Sequence, residues 1–153
     1  MDFMKKAIEL SESNLKTHAG GPFGAVVVKD GEIVGYGNNR VVVTNDPSAH
    51  AEVVAIRDAC GRLGRFELKD CELYTSCEPC PMCLGAIYWS RIPVIYYANS
   101  RQDAADIGFD DAFIYEEIAK KPQERRLTSH HLDNSEAIKA FKKWHDRGDR
   151  KKY

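Results

Sequence analysis

No long apolar run occurs in the 153 residues, and nothing approaches the roughly 18 apolar residues that a membrane-spanning helix needs. No membrane partner is therefore expected. Basic charge is not in excess either. Lys and Arg number 22 against 23 Asp and Glu, a net charge of −1, whereas nucleic-acid binders are usually strongly basic. Nucleic acid is thus not the expected partner. The opening Met1-Asp2-Phe3-Met4-Lys5-Lys6 has no apolar stretch behind its lysines, so a secretory signal is not expected. Repeats, low-complexity tracts and Gly/Pro/Ser-rich linkers are also missing, which predicts one domain over 1–153. Cysteine is sparse and odd in number, five in all, with three bunched as Cys77-x-x-Cys80-x-x-Cys83. Without an export signal, that bunching reads as metal binding in a reducing compartment, and a cytoplasmic location is expected.

What is present is a constellation of two short pieces, His50-Ala51-Glu52 and Pro79-Cys80-Pro81-Met82-Cys83. One imidazole and two thiolates make three soft ligands, one fewer than a closed structural zinc site uses. Such a site leaves a position for water, and bound zinc lowers the pKa of that water from about 16 towards 7. Glu52, two residues beyond His50, is placed to handle a proton. If a helix starts near His50 and a second has Pro81 in its first turn, Cys80 and Cys83 share one face. Two helix N-termini then meet around one cation and favour thiolate over thiol. The pattern H-x-E…P-C-x-x-C is the signature of the zinc nucleobase deaminases. Adding Cys77 would make a closed Cys3His structural site, but such a site has no use for Glu52.

Around these pieces the periodicity predicts a helix over residues 2–18, ending before Gly20-Gly21. A hairpin follows, with Ala25–Val28 and Ile33–Tyr36 joined through Asp30-Gly31. Asn38–Thr44 reads as a strand or extended loop, and Asn45-Asp46-Pro47-Ser48 as the cap of a buried helix beginning near His50. Strands at Cys71–Thr75 and Pro93–Ala98 flank a helix at 81–90, so the later strands should run parallel. A short helix around Asp111–Lys120 and an amphipathic one over 134–147, with Ala137, Ile138, Phe141 and Trp144 in a stripe, complete a layered α/β domain. By residue type alone, Tyr88 and Trp89 read as core, Asp110-Asp111 as a helix cap and Tyr153 as a frayed end. Asn39 reads equally as a turn residue or as an amide that contacts a base.

Several further stretches carry a resemblance: Gly20-Gly21-Pro22-Phe23-Gly24-Ala25, Asn45-Asp46-Pro47, Tyr74 through Trp89, Gly108-Phe109-Asp110-Asp111 and the terminal Lys152-Tyr153. With the metal motif, they make the chain similar to the cytidine-deaminase-like superfamily, and more closely to its bacterial guanine deaminases. That resemblance implies a three-layer α/β/α fold with a central mixed sheet and one Zn2+ per subunit. His50, Cys80 and Cys83 would be the zinc ligands and Glu52 the proton-shuttling carboxylate. Asn39, Phe23, Ala51 and Trp89 would bind the purine base, while Asp111 and Tyr153 would act on the substrate as catalytic residues. It further implies hydrolysis of guanine to xanthine and ammonia. A homodimer that exchanges its C-terminal segment, about 130–153, is implied as well. Adenosine in tRNA, cytosine and ammeline are the rival substrates.

Overall fold

A computed structural model describes residues 2–153, which form two compact units, one up to Ile114 and one from Tyr115. The first unit begins with α1 (Phe3–Thr17), capped by the Asp2 carboxylate, which accepts the Lys5 N–H at 3.0 Å. Strands β1 (Gly24–Lys29) and β2 (Glu32–Asn38) make the expected hairpin, with Asp30 and Gly31 both at positive φ in the turn. Then come α2 (Val41–Thr44), α3 (Ala51–Leu63), β3 (Glu72–Cys77), α4 (Pro81–Ser90), β4 (Val94–Asn99) and α5 (Arg101–Asp106). The sheet order is β2-β1-β3-β4, antiparallel at the first two pairings and parallel at β3/β4. The anticipated mixed sheet between helices is therefore what the chain builds.

Close approach of α3 to the sheet sets the position of the site. A Cβ at Gly37 would lie 2.1 Å from the Ala51 carbonyl oxygen, and one at Gly35 would lie 2.5 Å from that of Ala55. Only glycine on the strand lets the helix lie this close. The facing stripe of the helix is correspondingly small, with Ala51, Ala55 and Ala59 fully buried against Ala25, Val27 and Leu73 of the sheet.

Four details differ from the sequence reading. Val41–Thr44 is one turn of helix, because the Val42 and Val43 N–H groups both donate to the Ala19 carbonyl (3.1 Å each). Asp46 does not cap α3. Its carboxylate accepts from the Ser48 N–H and hydroxyl (2.8 and 2.6 Å), and His50 itself stands at the N-cap. The six-residue helix α5 was not anticipated, although Ser100 and Asp103 form a capping box at its start. Finally, Tyr88 and Trp89 are not core: on this chain they are 71% and 62% exposed.

The second unit takes in most of α6 (Ala112–Ala119), a 3-10 turn at Pro122–Glu124 and α7 (Ala137–Asp146). Glu117 organises the stretch after α6. Its carboxylate accepts the Arg126 N–H at 2.6 Å, and its carbonyl accepts Arg125 Nε at 3.0 Å. The amphipathic α7 leaves Phe141 and Trp144 exposed.

Candidate active site

Both helices that carry the motif begin at it. His50 is the N-cap of α3 and Cys80 the N-cap of α4, with Pro81 next, where its missing N–H costs nothing. His50 Nδ1 lies 3.5 Å from Cys80 Sγ and 3.5 Å from Cys83 Sγ. Tetrahedral zinc with bonds of about 2.0 Å to nitrogen and 2.3 Å to sulfur separates such ligands by about 3.5 Å. These three residues therefore fit a zinc ion by position as well as by chemistry.

The charges agree with that fit. The Cys80 thiol is drawn down to about 4, chiefly by the Cys83 thiol that donates to it and then by His50. Cys83 correspondingly holds its proton, through that same hydrogen bond and through burial. His50 is raised, first by its hydrogen bond to Cys80. Glu52 follows one residue into α3 and is only 6% exposed, and burial raises its carboxyl above the usual range. Thr75 Oγ1 on β3 lies 3.2 Å from Glu52 Oε1 and 3.1 Å from the Cys77 carbonyl. A hydroxyl both donates and accepts, so Thr75 can serve Glu52 in either protonation state. Thr75 was not singled out in the sequence. The available signal was a polar residue at an inward position of a strand pointing at the helix of Glu52.

Next to this centre, the loops after α1 and β2 run together. Asn39 N donates to the Phe23 carbonyl at 3.0 Å, and Val41 N–H donates to Asn39 Oδ1 at 3.1 Å. Asn39 is thus held by its oxygen, and its Nδ2 has no hydrogen-bond partner among the described residues. Phe23 meets Phe109 edge-on, with centroids 5.1 Å apart. Ala51 is fully buried at the first turn of α3. Asp110, not Asp111, accepts the Ala112 N–H at 2.9 Å at the start of α6. Asp111 is left to line a cavity of about 300 Å³ with Glu78, Arg101 and Asp110, and its carboxyl is raised by burial first and by the Cys80 thiolate among its neighbours. Two expected residues remain. Trp89 is exposed two turns along α4 from Cys83, and Tyr153 belongs to the second unit.

A mixed sheet sandwiched by helices, with a His and two Cys at two helix starts over a buried Glu, defines the zinc deaminases built on this fold. Residues 1–99 match the family model described as the cytidine and deoxycytidylate deaminase zinc-binding region, and the chain belongs to that family. Within it, the chain is 51% identical to the guanine deaminase of Bacillus subtilis (strain 168) over 99% of its own length and 97% of that protein. The crystal structure of a B. subtilis guanine deaminase superposes with a TM-score of 0.95, covering 99% of this chain and 96% of that one. A tRNA-specific adenosine deaminase of Streptococcus pyogenes is 43% identical over 65% of this chain and 62% of that protein.

Proposed function

We propose that this chain hydrolyses guanine to xanthine and ammonia. The observation that carries the reading is the extent of likeness: the guanine deaminase matches 99% of the chain, the tRNA-directed enzyme 65%. His50, Cys80 and Cys83 hold the zinc, which when bound supplies a water acidic enough to be deprotonated near neutral pH. Glu52 accepts the proton of the attacking water, which adds to the purine carbon bearing the exocyclic amine. Glu52 delivers that proton to the adjacent ring nitrogen, then takes the remaining proton from the hydroxyl now on the carbon and passes it to the amine, so that the carbonyl forms, the C–N bond breaks and ammonia leaves. A carboxyl with a raised pKa suits both halves of that task. Thr75 Oγ1, 3.2 Å from Oε1, holds the carboxyl in place for that exchange.

The base lies against Phe23, with Phe109 packed behind it and Ala51 at its edge. Asn39 Nδ2 donates to an acceptor on the purine, because Oδ1 is already committed to Val41. Asp111, Trp89 and Tyr153 complete substrate recognition. The protein acts as a homodimer in which residues from about 130 to 153 pass to the partner. Two apolar surfaces support this: the aromatics Tyr88, Trp89, Tyr96 and Tyr97 in one unit, and Phe141 with Trp144 in the other. Thiolate ligands persist in a reducing compartment, which supports a cytoplasmic location.

An ultraviolet assay of the zinc-loaded protein with guanine, adenine, cytosine, ammeline and a tRNA anticodon stem in parallel tests the reading. Conversion of guanine at an enzymatic rate, with the others far slower, is the expected result. Preference for the RNA stem, cytosine or ammeline overturns the assignment of substrate while leaving the zinc chemistry in place.

A further inference from the structure

Beneath the base pocket lies a buried side chain that the proposed chemistry does not use. Asn14, on the inner face of α1, is 3% exposed. Its Nδ2 donates to the Gly21 carbonyl at 2.7 Å and to the Asn39 carbonyl at 2.8 Å, while its Oδ1 accepts Asn38 Nδ2 at 2.6 Å. One amide therefore bridges the two loops that carry Phe23 and Asn39, and Asn38 fixes which way that amide faces. The loops have little slack: a Cβ at Gly20 would fall 2.0 Å from Asn39 Oδ1. The backbone ties the same segments as well, with Asn39 N–H donating to the Phe23 carbonyl and the Ala19 carbonyl taking the Val42 and Val43 N–H groups of α2.

We propose that Asn14 is a positioning residue for substrate, holding the Asn39 backbone against the loop that carries Phe23 through its two donated hydrogen bonds and so orienting the Asn39 side chain. The proposal rests on the pocket reading above. An ordinary helix-to-sheet contact could be made by any apolar side chain of similar size. A side chain that ends on two carbonyls from two loops does something an apolar one cannot, because it fixes their spacing as well as filling space. Losing it should let Asn39 drift from the base without disturbing the zinc ligands or Glu52, which sit on α3 and α4. The loss then appears in substrate binding and not in the chemical step.

Asn14→Asp keeps the shape and the acceptor towards Asn38 but removes both donors. We expect KM for guanine to rise about tenfold, with kcat within about twofold and zinc content unchanged. Asn38→Ala, which only frees the Asn14 amide to turn, should raise KM in the same direction by less. It decides the matter if Asn14→Asp does not fold. Ala7→Gly is the control, since it weakens the same helix without touching either loop. An unchanged KM in both Asn14→Asp and Asn38→Ala overturns the proposal. So does an equal rise in KM in Ala7→Gly at matched loss of melting temperature. Asn39→Ala, run alongside, separates the two ideas. If it leaves KM unchanged, the pocket reading has failed and this proposal falls with it. If it raises KM while Asn14→Asp does not, only the present proposal has failed.

Discussion

The metal end of the first unit and the C-terminal unit are built on opposite plans. Around His50, Cys80, Cys83 and Glu52, every polar group has a partner or a ligand to hold, and the supporting helix lies flush on glycines of β2. In the second unit, Phe141, Trp144 and Tyr153 are exposed, and its hydrogen bonds are mostly local ones such as Arg147 to Asp149 at 2.9 Å. The contrast teaches that the chemistry can be assembled from one chain's core. On the function proposed above, recognition of the particular base draws on surfaces that one chain leaves open.

The sharpest way to break this contrast is to remove the metal. Chelation should abolish turnover and lower the melting temperature of the first unit, since an ion bound only by the folded state stabilises it. Reloading should restore both. The protonation pattern adds a count. At neutral pH Cys80 is already a thiolate, its pKa drawn to about 4, whereas Cys83 keeps its proton. Zinc uptake at pH 8 should therefore release about one proton. His50 has a raised pKa, so as pH falls its ring also carries a proton that must leave. The count then climbs towards two, and affinity weakens as pH falls. Calorimetry in two buffers of different ionisation heat measures the count, and a value of zero at pH 8 contradicts the thiol assignment.

A second test strikes the platform under the site. Gly37→Ala places a methyl group against the Ala51 carbonyl and should destabilise the fold by about 2 to 4 kcal/mol, with loss of zinc affinity. Chemical denaturation and metal titration read both effects. Gly148→Ala, at a position with open space in the second unit, should be neutral by comparison. The smallest effect should come from Tyr153→Phe. Removing one hydroxyl should lower kcat/KM for guanine about tenfold at most, with zinc content and melting temperature unchanged. A fall in zinc content in that variant would mean that the two regions are not separable in this way.

Much of this was legible in the sequence, and the exceptions have physical reasons. The hairpin, α4 with Pro81 at its start and the parallel β3/β4 pair follow from turn chemistry and alternating elements. The metal centre was legible because zinc demands particular atoms at particular spacings. Val41–Thr44 misled because β-branched residues favour strands locally, and only the Ala19 carbonyl, distant in sequence, turns them into a helix. Trp89 misled because a helix apolar on all sides does not say which face its own chain covers. Thr75 and Asn14 were passed over because a buried polar side chain declares itself only by its partners, which lie 23 and 25 positions away.

The account stands most directly on Glu52. In zinc-loaded Glu52→Gln protein, metal content and guanine turnover should be measured together. One zinc per subunit with turnover reduced by about 10² to 10⁴ is the predicted result. Turnover within a few-fold of the parent protein, with the zinc in place, would contradict the claim that this buried carboxyl carries the proton.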